Sequence, residues 1–241
     1  ARESEWSGPS FVRELFLDGP SEVGLRQSER LALTTEETPI VPPAAGVPVR
    51  PGELVIVTGG ARGVTAEAAV ALARYVRPTL VLFGRSPAPT PEPTWLAGQE
   101  TEAGVKAALL SDARAKGSAP TPRELEDLCR QAMANREVLR TLARIDEEGG
   151  QALYRQLDVR DARAVSAAVA ELRAEFGPVR GLVHGAGVLA DRRIGDLTRE
   201  QIDAVLATKV EGLRHLLAAI GGDELRALAL FSSITGRRGR V

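Results

Sequence analysis

Leu54-Val55-Ile56-Val57-Thr58-Gly59-Gly60-Ala61-Arg62-Gly63-Val64-Thr65 is the stretch on which the fold turns. A continuous apolar run, mostly β-branched, suits a strand buried on both faces of a parallel sheet. The glycines that end it let the backbone turn sharply into the alanine-rich helix predicted over 66–75. Outward from this unit the alternation repeats. Thr79–Phe83 reads as a second strand ending at Gly84, Leu153–Val159 as a third, Gly181–His184 as a fourth and Ala227–Phe231 as a fifth. Helices are predicted over 161–176, stopped by Gly177-Pro178, and from Thr198 to about Ala219. Strands separated by helices need right-handed crossovers, so the expected fold class is α/β, a doubly wound parallel sheet.

Between the second and third strands lies an insertion, about 86–150. Pro87–Pro93 reads as a loop and 100–116 as a helix closed by Gly117. Thr121-Pro122-Arg123-Glu124 then supplies an N-cap, a proline at the first helical position and a capping-box glutamate. The helix that follows carries Leu125, Leu128, Ala132, Leu139 and Leu142 on one face, and that stripe is expected to pack on the same chain. The segment before Glu53 differs. Phe11–Leu17 and Arg30–Leu33 read as short strands and the Pro-rich run Pro39–Pro51 as a linker, with a partly ordered leader as the alternative. Two domains are therefore expected, 1–52 as a structural element with linker and 53–241 as a nucleotide-binding domain.

Thr58, Gly59, Gly60, Arg62, Gly63 and Val64 stand where a strand passes into a helix. There a backbone can approach a pyrophosphate whose charge sits at the helix N-terminus; a tight turn without ligand is the alternative. NAD-specific sites place Asp or Glu about 20 residues after the glycines, on the ribose 2′-hydroxyl. Here that place is held by Gly84-Arg85-Ser86. Arginine pairs with a 2′-phosphate where a carboxylate would repel it, and Arg62 is a second candidate cation, so NADPH is the expected cofactor. Asp158 and Val159 end the third strand, where a carboxylate can accept from an adenine amine. Gly185, Ala186 and Gly187 end the fourth, where small residues let a cofactor lie against the backbone. His184, a lone histidine at a strand end, reads as structural.

With these residues the chain resembles the short-chain dehydrogenase/reductase superfamily, with its Rossmann-type sheet, and more narrowly the ketoreductase domain of type I polyketide and fatty-acid synthases. Thr58–Thr65, Gly84-Arg85-Ser86 and His184-Gly185-Ala186-Gly187-Val188 carry the likeness. So do Ala207-Thr208-Lys209-Val210-Glu211-Gly212 and Leu230-Phe231-Ser232-Ser233-Ile234-Thr235-Gly236. The arginine-bearing glycine turn and the helical insertion are most similar to ketoreductases of polyunsaturated fatty-acid synthases.

The resemblance implies NADPH-dependent reduction of a 3-ketoacyl chain on acyl carrier protein. Ser233 matches the serine that hydrogen-bonds the substrate carbonyl, and Lys209 the lysine that orders the active site. Leu189-Ala190-Asp191 matches a Leu-Asp-Asp fingerprint of ketoreductases making the D-configured alcohol, its first aspartate replaced. The family's proton-donating tyrosine follows its serine by about a dozen residues, within reach of the carbonyl oxygen. The sequence given runs to Val241, and its only tyrosines are Tyr75 and Tyr154. The expectation is a C-terminally incomplete ketoreductase domain of a longer synthase, inactive as it stands. Its alternatives are a non-catalytic module between synthase domains and a small-molecule oxidoreductase of the same superfamily.

Composition sets the outer bounds. The chain has 241 residues, 44% hydrophobic and 26% charged, ample for one core. A formal charge of -1 gives no reason to expect nucleic acid or an anionic membrane as partner. Arg237, Arg238 and Arg240 lack interleaved aromatics, and read instead as a candidate receiver of the carrier protein's phosphopantetheine phosphate. One cysteine, Cys129, excludes an internal disulfide, and two distant histidines argue against a metal site. No apolar run approaches a membrane span, no signal peptide opens the sequence, and the expected location is the cytoplasm.

Overall fold

The computed structural model describes residues 12–20, 22–26, 29–32, 34, 36–39 and 46–233. Two compact units divide the chain, Ala1–Gly46 and Val47–Val241. The first holds an antiparallel ribbon of β1 (Val23–Arg26) and β2 (Glu29–Ala32). Residues 12–14 form a helical turn instead of the strand expected over 11–17. Leu15, Phe16 and Leu17 donate their amides back to the carbonyls of Val12, Arg13 and Glu14. The apolar spacing there suits a helix as well as a strand, and no neighbouring run fixed the choice. Phe11 itself, Leu33 and residues 40–45 lie outside the described residues.

The second unit alternates as expected. In chain order it runs β3 (Leu54–Thr58), α1 (Gly63–Val76), β4 (Thr79–Gly84), α2 (Thr94–Ala97), α3 (Glu102–Ala115) and α4 (Pro122–Glu147). After that insertion come β5 (Gln151–Gln156), α5 (Ala162–Phe176), β6 (Val179–His184), α6 (Arg199–Leu206), a π turn (Ala207–Glu211), α7 (Gly212–Ile220) and β7 (Ala227–Leu230). The strands form one parallel sheet in the order β5-β4-β3-β6-β7. The chain winds one way from β3 to β5, then returns to the other side of β3. That reversal opens a crevice above the C-terminal ends of β3 and β6, where open α/β sheets bind ligands.

Period-two alternation along the strands sorts the core into two layers. Val55 and Val57 of β3, with Leu80 and Leu82 of β4, face Ala69, Val70 and Ala73 of α1 and Val138 and Ile145 of α4. Leu54, Ile56, Val81 and Phe83 face the other way, onto Val165, Val169 and Leu172 of α5 and Leu216 and Ile220 of α7. Every residue of β3 is buried, as its unbroken apolar run requires.

Three sequence expectations shift. β5 ends at Gln156, not Val159: the Leu157 amide still bonds the Gly84 carbonyl, but Asp158–Arg160 then turns into the Asp161 N-cap of α5. The helix expected over 198–219 runs without a break from Arg199 to Ile220, but its middle turn is π instead of α, so α6 and α7 are the α-helical stretches on either side of it. The fully buried positions of α4 are Cys129, Ala134, Val138, Thr141 and Ile145; of the expected stripe, Ala132 and Leu142 pack half-buried against the core, whereas Leu128 is 40% exposed.

The insertion docks on its own unit along its length. The Thr121 capping box forms as read. Arg136 reaches back to the carbonyls of Leu96 and Gln99 and to Glu92, tying the 86–101 loop to α4. Glu67 and Arg74 of α1 pair with Arg144 and Glu148 at the far end of α4. No described helix is long and apolar enough to cross a membrane.

Candidate active site

A cavity of about 670 Å³ opens at the C-terminal edge of the sheet, over the reversal point. Its floor is the glycine turn after β3. Gly59 sits at φ +70°, donates its amide to the Phe83 carbonyl at 2.9 Å, and is pressed against the loop after β6. A Cβ at Gly59 would stand 2.9 Å from the Gly185 carbonyl, so only glycine fits. Across the cleft a Cβ at Gly185 would collide with Thr65, which explains the small residues after His184. Helix α1 starts at Gly63 with Arg62 as N-cap; no side chain caps it and no acidic residue stands in its first turn. Its first amides are thus available to an anion.

Of the sequence-predicted residues, Gly59, Arg62 and Gly63 line the cavity from the β3 side, and Arg85 and Ser86 from the β4 side. Asp158 and Val159 line it past β5, and Gly185, Ala186 and Gly187 past β6. Four separate strand ends therefore converge on one space. Asp158 is engaged by Arg160, whose Nη2 is 2.6 Å from Oδ2. That hydrogen-bonded guanidinium holds its carboxyl below the usual range, and the charge of Arg85 adds to the effect.

Thr58 and Gly60 lie beneath the lining rather than in it. The Thr58 hydroxyl accepts from the Ala186 amide at 3.1 Å and meets His184 Nδ1 at 2.8 Å. The other imidazole nitrogen, Nε2, is 3.0 Å from the Lys209 carbonyl in the π turn. A carbonyl only accepts, so Nε2 carries the proton and Nδ1 accepts from Thr58. Burial pushes the His184 pKa down, which keeps the ring neutral and this chain of bonds intact. Val64 points away from the cavity, 77% exposed in the first turn of α1.

Lys209 is brought to the cavity's rim. Its Nζ would stand 3.3 Å from a Cβ built on Gly187. Ser233 follows β7 on the same sheet edge, and Asp191 lies in the exposed loop after Gly187; neither is part of the cavity lining. Arg237, Arg238 and Arg240 lie outside the described residues.

Sequence reasoning missed residues that act from a distance. Tyr154 of β5 donates its hydroxyl to the Ser86 carbonyl at 2.8 Å and fills the space beside Gly84. Thr141 of α4 donates to the Ala61 carbonyl at 2.9 Å. Glu137, a turn earlier on α4, lines the cavity. No local pattern marks these residues, because each acts only once the insertion and sheet are assembled. The residues present fit a dinucleotide: tight turns at Gly59 and Gly185 that admit no side chain, an uncapped helix start and two guanidinium groups among the lining.

The KR domain family model matches residues 121–241. A polyunsaturated fatty acid synthase polypeptide of Thraustochytrium sp. is 35% identical over 227 residues, covering 91% of this chain and 8% of that protein. An N-terminal ketoreductase from the macrolactin assembly line superposes with a TM-score of 0.56 at 23% identity, over 86% of this chain and 31% of that one. A ketoreductase domain from the bacillaene assembly line gives the same TM-score and identity over 88% and 38%. At that identity these two structures speak for the fold alone.

Proposed function

The chain belongs to the KR domain family, oxidoreductases of the short-chain dehydrogenase/reductase type, and from that premise we propose that it binds NADPH and serves reduction of a 3-ketoacyl chain. The chain to be reduced is carried by acyl carrier protein within a polyketide or fatty-acid synthase, and the product is the D-configured 3-hydroxyacyl form. The observation that carries this reading is the convergence of Arg62 and Arg85 on one glycine-floored cavity. A guanidinium offers a planar fork to phosphate, and two of them favour a 2′-phosphate over a hydroxyl.

In this reading the open amides at the start of α1 receive the pyrophosphate, and Asp158 and Val159 border the adenine. Gly185, Ala186 and Gly187 let the nicotinamide end lie against backbone. A bound reduced nicotinamide supplies the hydride. Ser233 donates a hydrogen bond to the substrate carbonyl oxygen, and Asp191 sets the face from which the chain enters. The Lys209 ammonium, beside Gly187, stabilises the anionic oxygen of the proton donor. Neither tyrosine of the sequence serves as that donor: Tyr154 is bound to Ser86, and Tyr75 stands 77% exposed on α1.

Titrating the chain with NADPH and NADH tests the proposal. NADPH should bind tighter by about 1–3 kcal/mol, the worth of a charge-assisted hydrogen bond, and Arg85→Ala should erase most of that difference. Equal affinity for the two, or an unchanged preference in Arg85→Ala, would count against it.

A further inference from the structure

Helix α4 of the insertion does more than pack. Thr141, 5% exposed, fixes the helix on the glycine turn through its bond to the Ala61 carbonyl. Positions four apart on a helix share a face, so the same docking brings Glu137 over the cavity that Arg62 and Arg85 line. Glu137 Oε2 is 3.8 Å from Arg62 Nη1. That is an ion pair without a hydrogen bond, between side chains 52% and 47% exposed, and a ligand can displace it.

We propose that Glu137 is a specificity-determining residue of this site, a carboxylate supplied by the insertion that competes with a ligand's 2′-phosphate for Arg62. The inference rests on the dinucleotide reading above. A 2′-phosphorylated nucleotide must take Arg62 from Glu137 before it gains that contact, whereas its 2′-hydroxyl counterpart makes no such demand. The insertion thereby sets how strongly the cavity prefers one nucleotide over the other.

Calorimetric titration of the full 241-residue chain with adenosine 2′,5′-bisphosphate and with 5′-AMP tests this without any turnover. Glu137→Gln should bind the bisphosphate about two- to fivefold more tightly than the parent chain, in keeping with an exposed ion pair, and bind 5′-AMP equally well. The gain should shrink at about 0.5 M salt. It should also largely vanish when Arg62→Gln is already present. Unchanged bisphosphate affinity, an equal gain for 5′-AMP, or a gain undiminished in the Arg62→Gln background would each overturn the role of Glu137. If the parent chain and the variant bind neither nucleotide, the dinucleotide reading itself falls, and this inference with it.

Discussion

His184 and Thr58 show how far a residue's part in the site lies from its place in the sequence. Thr58 reads as a ligand contact because it precedes the glycines, yet its hydroxyl is spent between the Ala186 amide and His184 Nδ1. His184 reads as structural, and its hydrogen bonds make it the link between two strand ends and the Lys209 backbone. The glycines and arginines that line the cavity were legible because they stand at strand ends, where a tight turn restricts residue type locally. The Thr58–His184 bond was not, since its partners meet only across the sheet. The neutral ring has a consequence for stability. Its folded pKa lies below the ordinary 6.5 because burial disfavours the imidazolium and the Lys209 charge adds to that. The unfolded chain thus binds the proton first, and stability present above about pH 6.5 is lost as pH falls toward the folded value. Urea unfolding should show the chain less stable at pH 5.5 than at 7.5. His184→Gln should flatten that slope; equal slopes would remove His184 as its source.

Among the elements, α4 is legible in its limits and only in part in its face. Thr121, Pro122 and Glu124 mark its start by backbone chemistry that any context preserves. Its face depends on what it packs against. The leucine spacing points to Leu125, Leu128, Leu139 and Leu142, but of these only Leu142 joins the core shared with α1 and β5, where Val138 and Ile145 are buried. Ile145 is fully buried and Leu128 is 40% exposed. Ile145→Ala should therefore cost ~2–5 kcal/mol of unfolding free energy by denaturant titration, as buried truncations do. Leu128→Ala should stay within about 1 kcal/mol. The reverse order would mean that α4 docks through its leucines after all.

At the scale of the whole molecule, the winding of the sheet followed from strand and helix order alone, because crossover handedness leaves few topologies. What the order did not reveal is that the insertion joins α1 on one face of the sheet and reaches the cavity. With Ser233 and Lys209 on the same sheet edge but neither tyrosine beside them, binding and turnover should separate: the 241-residue chain should retain NADPH yet reduce a 3-ketoacyl thioester at a negligible rate. Sustained NADPH oxidation in a stopped assay with that substrate would show that another group supplies the proton. The π turn at Ala207–Glu211 bears on where Lys209 points. On an all-α helix, Lys209 and the core residues Leu216 and Ile220 would be teeth on a single gear, cut at one spacing. Lys209 instead sits inside the wider turn, so its direction from the axis is offset from the spacing that an all-α helix would impose relative to Leu216 and Ile220.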